Sequence, residues 1–488
     1  MNPITIPNIS IPTIGIPTIG IPSVGFPSAS GGGGLSWPAG MKEHIKAWYD
    51  PKKQGMTNFD VIESYAEDFT ASKWVTVQDR AVFTKTASKI HITESMSDGF
   101  NTTFIETSQS RYGNEMKINV SGIVAGGVTL KYRYGSYEEV VDITSNGVYT
   151  LPAGKAGTNP NGYNGFVMKA KGKCDITITQ LPTSILKDFS GNGNHAYLYG
   201  GKGKLNSGMG VYKFDFLSDL RINSAYIPYS DRQEDKICSL IEHPAGWLFQ
   251  FVSLSDIPAF KVEVKGIVND RFVYRYYDEN GNRGKEIIIN KDGIYELPIS
   301  YSVENNTGVG IVCSDACVDN VCFTQIPDYP DQLCYDGKMY AVAYDMPILT
   351  DYTVMAERAI LDNSDIADWA FIAKRDYPAI NGAFTFEKDI DDTSDNLRTI
   401  SFGRTSVIYN PIKERSISYQ TKNKYNGQDI IVGNVDDVDF LLIGAGILDT
   451  NLNLVKEKMR VAHGAIIVAD RSFTEEEINW LKQNWDKI

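Results

Sequence analysis

Acidic side chains near residue 387 are the first candidates for chemistry. Glu387 and Asp389 stand one residue apart at the end of an alternating segment, 382–387. On a β-strand this spacing places both carboxylates on one face, where such a pair can act as acid and nucleophile in glycoside hydrolysis. The acidic residues continue to Asp395, however, which is more typical of a solvated loop. We therefore predict no catalytic residues in this segment.

Cysteines are the second candidates, because thiolates bind soft metals. Cys313, Cys317 and Cys322 form the one cluster among six cysteines. A structural zinc site needs a fourth ligand, which Cys334 could supply, but the sequence contains no Cys-x2-Cys pair. Metal ligation and a disulfide stay open, and we favour free, mostly buried thiols.

A glycine-rich stretch offers oxygen donors. Asp188, Asn192 and Asn194 could supply ligands to calcium. The same residue types also form turns, because their short side chains bond nearby backbone and tolerate positive φ. We favour the turn and predict no cofactor, with calcium as the alternative. Residues 196–199 then form a strand, because they are aromatic and aliphatic.

Aromatic side chains in two similar segments are candidates for stacking on sugar rings. The candidate glycan-binding residues are Tyr132, Tyr134, Tyr137, Tyr274, Tyr276 and Tyr277. Alternation along a strand predicts that half of each set points into the core instead.

Composition narrows the class of protein. The chain has 488 residues, 42% hydrophobic and 22% charged, which indicates several soluble globular domains. A net charge of −13 argues against nucleic-acid binding, which needs clustered Lys and Arg. No apolar run is long enough to span a membrane, and the proline-rich N-terminus does not resemble a signal peptide.

The N-terminus contains a pentapeptide repeat with proline at every fifth position. Proline excludes a helix and holds the preceding residue extended, so we predict a rod with two apolar residues per repeat. A rod cannot bury these side chains alone, which predicts a partner: further copies of the chain, or a groove on another protein. The anchoring residues are Ile6, Ile9, Ile11, Ile14, Ile16, Ile19, Ile21, Val24 and Phe26. A glycine-rich tether ends this segment at residue 34.

Two short motifs resemble the opening of a concanavalin A-like, laminin-G-like sandwich. They are Ala-Trp-Tyr-Asp at 47–50 and Lys-Asp-Phe-Ser-Gly-Asn-Gly-Asn at 187–194. The closing segment 470–485, with a capping box at Thr474 and Glu477, is typical of the same family. Glucanases of this fold carry Glu-x-Asp-x-x-Glu, but position 392 here is Asp, so the carboxylate pattern is incomplete.

Two long segments between these motifs repeat each other. Residues 116–124 match 260–268, and residues 146–152 match 292–298, in the same order. Short alternating strands with Asn-Gly or Asp-Gly turns predict a jelly-roll-like β-sandwich in each copy. We predict an all-β chain: a stalk and tether (1–34), a concanavalin A-like host (35–64, 185–216 and 329–488), two insertions (65–184 and 217–328) and a short C-terminal helix.

The chain thus resembles virion-surface proteins of tailed phages that infect Bacteroides-type bacteria. The resemblance implies a head or tail fibre or capsid decoration protein that is assembled in the host cytoplasm. Its N-terminus would anchor it to a capsid or tail protein, its copies would form a homotrimer, and its head would bind host or mucosal glycan. We expect no enzymatic activity. The alternatives are a polysaccharide-degrading glycoside hydrolase of concanavalin-like fold and a bacterial surface adhesin.

Overall fold

A computed structural model describes the chain from residue 35 onwards, with gaps. The described ranges are 35–57, 61–76, 81–96, 102–107, 113–135, 139–155, 164–169, 171–202, 207–252, 256–301, 308–361, 370–376, 382–388, 397–402, 404–408, 416–434, 436–449, 454–456 and 458–488. The predicted stalk and tether lie outside these ranges. The same holds for the anchoring residues Ile6, Ile9, Ile11, Ile14, Ile16, Ile19, Ile21, Val24 and Phe26.

The first elements are a strand, β1 (Ile45–Tyr49), and a one-turn helix, α1 (Pro51–Gln54). The Asp50 side chain caps the helix by accepting the N–H of Lys53 at 2.9 Å. Gly55 ends it in the left-handed region with φ of 68°. Proline inside the start and glycine past the end account for so short a helix.

Ten strands follow, all between residues 74 and 180. They are β2 (Trp74–Thr76), β3 (Ala81–Lys85), β4 (Lys89–Met96), β5 (Thr102–Thr107), β6 (Met116–Ser121), β7 (Thr129–Arg133), β8 (Val140–Ile143), β9 (Gly147–Leu151), β10 (Gly165–Lys169) and β11 (Lys171–Gln180). They form two five-stranded sheets, ordered β2-β5-β10-β7-β8 and β3-β4-β11-β6-β9. Without β2 and β3, this is the strand order of a jelly roll.

Three short strands lead to a second set of ten. The short strands are β12 (Ile185–Leu186), β13 (Ala196–Tyr199) and β14 (Gly208–Met209). The second set is β15 (Leu220–Arg221), β16 (Ser230–Arg232), β17 (Lys236–Ser239), β18 (Gly246–Phe251), β19 (Phe260–Lys265), β20 (Phe272–Tyr277), β21 (Arg283–Ile289), β22 (Gly293–Leu297), β23 (Gly310–Cys313) and β24 (Val321–Ile326). Its sheets are ordered β15-β18-β23-β20-β21 and β16-β17-β24-β19-β22, which matches the first set strand for strand. We propose that the two sets are the two predicted insertions.

Side-chain contacts repeat together with the strands. The Asn146 Oδ1 accepts the N–H of Ile123 at 2.7 Å, and the Asp292 Oδ1 accepts the N–H of Ile267 at 2.7 Å. Both side chains stand in the turn before a matching strand, β9 or β22. The Asn-Gly and Asp-Gly pairs seen in the sequence therefore also tie that turn to the neighbouring connection.

A buried glutamine secures the entry of each set. Gln180 bonds both backbone groups of Glu67, through Oε1 at 2.8 Å and Nε2 at 2.8 Å. Gln325 accepts the N–H of Lys213 at 2.9 Å and donates to the carbonyl of Phe214 at 2.9 Å. A side chain of the last strand thus bonds the backbone groups at the start of each set, which have no partner in a sheet.

We expect Gln180→Ala and Gln325→Ala each to lower the free energy of unfolding by about 1–3 kcal/mol, because each leaves buried backbone groups unpaired. Calorimetric unfolding of the full chain measures the loss. Gln428→Ala, at an exposed position, is the control and should cost less than about 0.5 kcal/mol. An equal loss of unfolding free energy in all three variants would contradict the role assigned to Gln180 and Gln325.

The remaining strands complete another pair of sheets. They are β25 (Leu333–Asp336), β26 (Tyr340–Ala343), β27 (Thr353–Ile360), β28 (Ala370–Arg375), β29 (Gly382–Lys388), β30 (Leu397–Ser401), β31 (Arg404–Ile408), β32 (Ser416–Thr421), β33 (Lys424–Tyr425), β34 (Gln428–Asp429), β35 (Leu441–Ile443), β36 (Ile447–Asp449), β37 (Leu454–Lys456) and β38 (Arg460–Ala469). One sheet is ordered β14-β25-β38-β27-β32-β33-β34, with β1 also paired to β38, and the other β12-β13-β26-β35-β28-β29-β30-β31. β36 and β37 form a separate two-stranded sheet.

Segments far apart in sequence share these two sheets. Trp48 of β1 lies opposite Ile467 of β38, and Tyr197 of β13 lies opposite Val342 of β26. A hydrophobic core fills the space between the sheets. We propose that this pair of sheets is the predicted concanavalin A-like host. The all-β sandwich class itself is confirmed.

The long strand β38 is buried on both faces. Ile466 and Val468 belong to the core between the sheets, whereas Ile467 packs outward beneath the C-terminal helix. That helix, α2 (Glu475–Asn484), begins with the predicted capping box between Thr474 and Glu477. The short C-terminal helix is therefore confirmed. None of the helices in the described ranges is long and apolar enough to cross a membrane.

Candidate functional site

An open groove lies on the outer face of the host, beside the C-terminal helix. It encloses about 540 Å³. The residues that line it are Glu357, Ser416, Ile417, Lys482, Trp485 and Asp486. We call it the helix groove.

Two adjacent strands supply its floor. Glu357 of β27 lies opposite Ile417 of β32, and Ser416 is the first residue of that strand. Gly464 of β38 leaves space for the acid, since a Cβ there would stand 2.1 Å from the Glu357 Oε2. Glu357 is only 9% exposed, so its carboxylate is held in place by the surrounding protein.

The end of the chain supplies the groove's wall. Lys482 extends from α2, and its Nζ lies 4.7 Å from the ring centroid of Tyr419. Partial burial lowers the pKa of Lys482 from its ordinary value. Trp485 and Asp486 follow in a short 3-10 turn, Trp485–Lys487. The groove therefore combines two carboxylates, one ammonium group and an indole ring.

Two polar atoms of the groove residues are unsatisfied. The Trp485 Nε1 and the Ser416 Oγ are buried and have no hydrogen-bond partner within the described part of the chain. Unsatisfied buried donors are uncommon in native proteins and are expected to gain a partner from a ligand or ordered water.

The six tyrosines predicted to bind glycan fall into three groups. Tyr132, Tyr274 and Tyr277 are buried in the cores of the two ten-stranded sets, where their rings are covered. Tyr134 and Tyr276 are partly exposed. Tyr137 lies outside the described residues. Tyr134 and Tyr276 also pack against the cores, two residues along the chain from the buried Tyr132 and Tyr274. The prediction that alternation turns half of each set outward is therefore wrong for the described tyrosines.

The side chains proposed as calcium ligands hold a turn together. The Asp188 carboxylate accepts the N–H of Trp48 at 2.9 Å and that of Asn194 at 3.0 Å. Asn192 and Asn194 each donate a side-chain N–H at 2.8 Å, to the carbonyls of Ile45 and Lys46. These bonds fasten the glycine-rich stretch to β1.

The acidic segment near residue 387 is described only in part. Glu387 belongs to β29, and Asp389 lies outside the described residues. The structure brings another acid, Glu357, into a groove together with Asp486. The sequence analysis singled out neither residue. The adjacent charged residues Glu357 and Arg358 inside the otherwise buried strand β27 were a signal that could have pointed to Glu357.

The six cysteines separate into four environments, one of which is that of Cys174, a partly buried free thiol in β11. Cys238 and Cys322 form a disulfide between β17 and β24, so Cys322 leaves the predicted cluster. Cys334 is buried in β25 of the host. Cys313 and Cys317 are free thiols that lie near His243, a residue that the sequence did not single out.

Comparison with known proteins gives weak likenesses. No protein-family model and no curated protein sequence matches the chain. Among solved structures, it is similar to an arabinofuranosidase complexed with arabinofuranosyl-α-1,2-xylobiose, at 10% identity and a TM-score of 0.26, over 76% of this chain and 61% of that one. It is also similar to Trypanosoma rangeli sialidase in complex with 2,3-difluorosialic acid, at 10% identity and a TM-score of 0.25, over 88% of this chain and 90% of that one.

The similar structures concern the prediction that the chain has no enzymatic activity. The expectation of no enzymatic activity is contradicted, because the similar structures are an arabinofuranosidase and a sialidase, and we withdraw it. Likeness at this level assigns no substrate or reaction to the chain.

Proposed function

We propose that the chain binds glycans and that the helix groove is the binding site. The observation that carries the proposal is the unsatisfied Trp485 N–H and Ser416 hydroxyl beside two carboxylates and an ammonium group in one open groove. Sugar hydroxyls both donate and accept hydrogen bonds. Glu357 and Asp486 would accept from them, and Lys482 and Trp485 would donate to them.

The groove also suits the apolar part of a sugar. Trp485 is buried, and its indole lines the wall beside the polar groups. Ile417 adds a second apolar surface on the floor. A ligand that is polar around its rim and apolar on its faces is therefore the chemistry that these residues complement.

We further propose that this glycan-binding body is the head of a virion-surface fibre or decoration protein of a tailed phage. The support is in the sequence: a proline-spaced apolar segment, 6–27, followed by a glycine-rich tether. A segment of this kind needs a partner to cover its side chains. In this proposal the partner is a capsid or tail protein together with two further copies of the chain.

A glycan array tests the binding proposal, with the full chain and Lys482→Gln as the variant. Losing a charged hydrogen bond costs about 1.5–3 kcal/mol, so affinity should fall by roughly 10- to 100-fold. Lys487→Gln is the matched control, because Lys487 is exposed in the 3-10 turn that follows α2 but does not line the groove. Equal affinity of both variants, or an array without any bound glycan, would refute the site.

Glycoside hydrolysis is the second candidate function, because Glu357 and Asp486 line the same groove. Hydrolysis needs two carboxylates on either side of a glycosidic bond. Incubation with the glycans that bind, followed by measurement of new reducing ends, separates the two functions. Release that disappears in Glu357→Gln would establish an enzyme, whereas binding without release would leave a lectin-like role.

A further inference from the structure

Three metal-binding side chains converge at one end of the second set of strands. Cys313 is the last residue of β23, Cys317 stands in the connection to β24, and His243 stands in the connection between β17 and β18. One ligand atom from each lies within 4.8 Å of the others, and all three residues are buried.

Backbone hydrogen bonds hold the two connections together. The N–H of Cys317 donates to the carbonyl of His243 at 2.9 Å, and the N–H of Glu242 donates to the carbonyl of Cys317 at 2.8 Å. The ligand atoms are thereby brought together by the fold itself and do not require a metal to assemble them.

The polar contacts inside the cluster are incomplete. The Cys313 Sγ lies 3.5 Å from the His243 Nδ1, and the Ser239 hydroxyl donates to the Cys317 Sγ at 3.0 Å. The His243 Nδ1 also donates to the carbonyl of Pro244 at 2.8 Å, which leaves the Nε2 as the nitrogen with a free lone pair. The His243 Nε2 is buried without a hydrogen-bond partner among the residues the structure describes. A buried imidazole nitrogen of this kind is costly unless it is bonded.

We propose that Cys313, Cys317 and His243 bind one zinc ion. Two thiolates and an imidazole are ligands that zinc prefers, and a structural site takes four. Water would complete the four, and Asp270, which interacts with the Cys317 thiol, lies beside the site. Its carboxylate already accepts the N–H groups of Val318 at 3.0 Å and Asp319 at 2.9 Å, an outer shell that orients it.

The first set of strands is an internal comparison. It has the same strand order. Counted from Gly165 and Gly310, which open β10 and β23, Met168 and Gly172 stand where the second set has Cys313 and Cys317, and the sequence between β4 and β5 contains no histidine. The cluster is therefore not needed to form the jelly roll. A second disulfide, between Cys313 and Cys317, is the rival explanation, but it would leave the buried His243 Nε2 without a partner among the described residues.

Elemental analysis of the full chain, purified with zinc and then dialysed against metal-free buffer, tests the proposal. We expect one zinc per chain, and after exchange a cobalt derivative with a thiolate charge-transfer band. Cys317→Ser and His243→Asn should each lose the metal, whereas Cys174→Ser and Cys334→Ser, at the two other free thiols, should keep it.

Thiol titration of the denatured, metal-stripped protein keeps the test decisive if a variant fails to fold. Four free thiols are expected, those of Cys174, Cys313, Cys317 and Cys334. Two thiols would show a second disulfide and overturn the proposal. Four thiols together with a wild-type chain that retains no zinc or cobalt would overturn it as well.

Discussion

Replacing Asp436 with asparagine is expected to lower the free energy of unfolding by about 3–5 kcal/mol, since it strands a buried ammonium group. The Lys374 Nζ lies 2.7 Å from the Asp436 Oδ2, and both side chains are 0% exposed. Burial lowers the pKa of Lys374, which shows how strongly the site disfavours an unpaired charge. Denaturant titration of variant and wild type measures the loss.

Two further variants separate the ion pair from general damage. In Lys374→Met/Asp436→Asn neither charge is left alone, so the double variant should lose much less than the sum of the two single changes. Asp142→Asn is the exposed control: its pair with Lys131 has a similarly short distance of 2.8 Å, but the two side chains are 56% and 30% exposed. That change should cost at most about 1 kcal/mol. Additive losses in the double variant would mean that the pair is not coupled.

Acid is expected to weaken the host through His463, which is 0% exposed between its sheets. Its Nδ1 donates to the carbonyl of Gly464 at 2.7 Å, so its Nε2 accepts from the Tyr335 hydroxyl at 3.1 Å. Burial lowers the pKa of His463 to about 4. The neutral imidazole is therefore the form that the folded chain requires.

The sign of the pH dependence follows from that shift. Between an ordinary pKa of about 6.5 and the folded pKa of about 4, the unfolded chain binds a proton that the folded chain does not. Stability is full above this range, falls as the pH falls, and has lost about 3 kcal/mol at its lower end. His463→Gln should remove this contribution from the slope, whereas Tyr335→Phe keeps the imidazole and should keep the slope. An unchanged slope in His463→Gln would contradict the assignment.

Local sequence signals predicted individual elements well. The capping box at Thr474 marked the start of α2, and the apolar residues 196–199 became β13. The Asn-Gly and Asp-Gly turns before β9 and β22 were visible as well. These signals act over a few residues, so they do not depend on the rest of the chain.

Sites were harder to predict, because they depend on contacts between distant segments. Glu357 and Asp486 are separated by more than a hundred residues and line one groove only because β27 and its neighbour β32 lie beside the C-terminal turn. His243 joins Cys313 and Cys317 through a contact between two connections. Tyrosine spacing gave candidates for sugar binding but did not show which rings the cores would cover.

The sequence alone determined the all-β class, the internal repeat and the closing helix, since alternation, turn residues and caps are local properties of the chain. Only the tertiary structure decided which cysteines pair, which acids share a groove and which histidine faces two thiols. The physical reason is that such sites form when sheets bury their apolar faces against each other, and that burial selects partners by position in space and not by spacing along the chain.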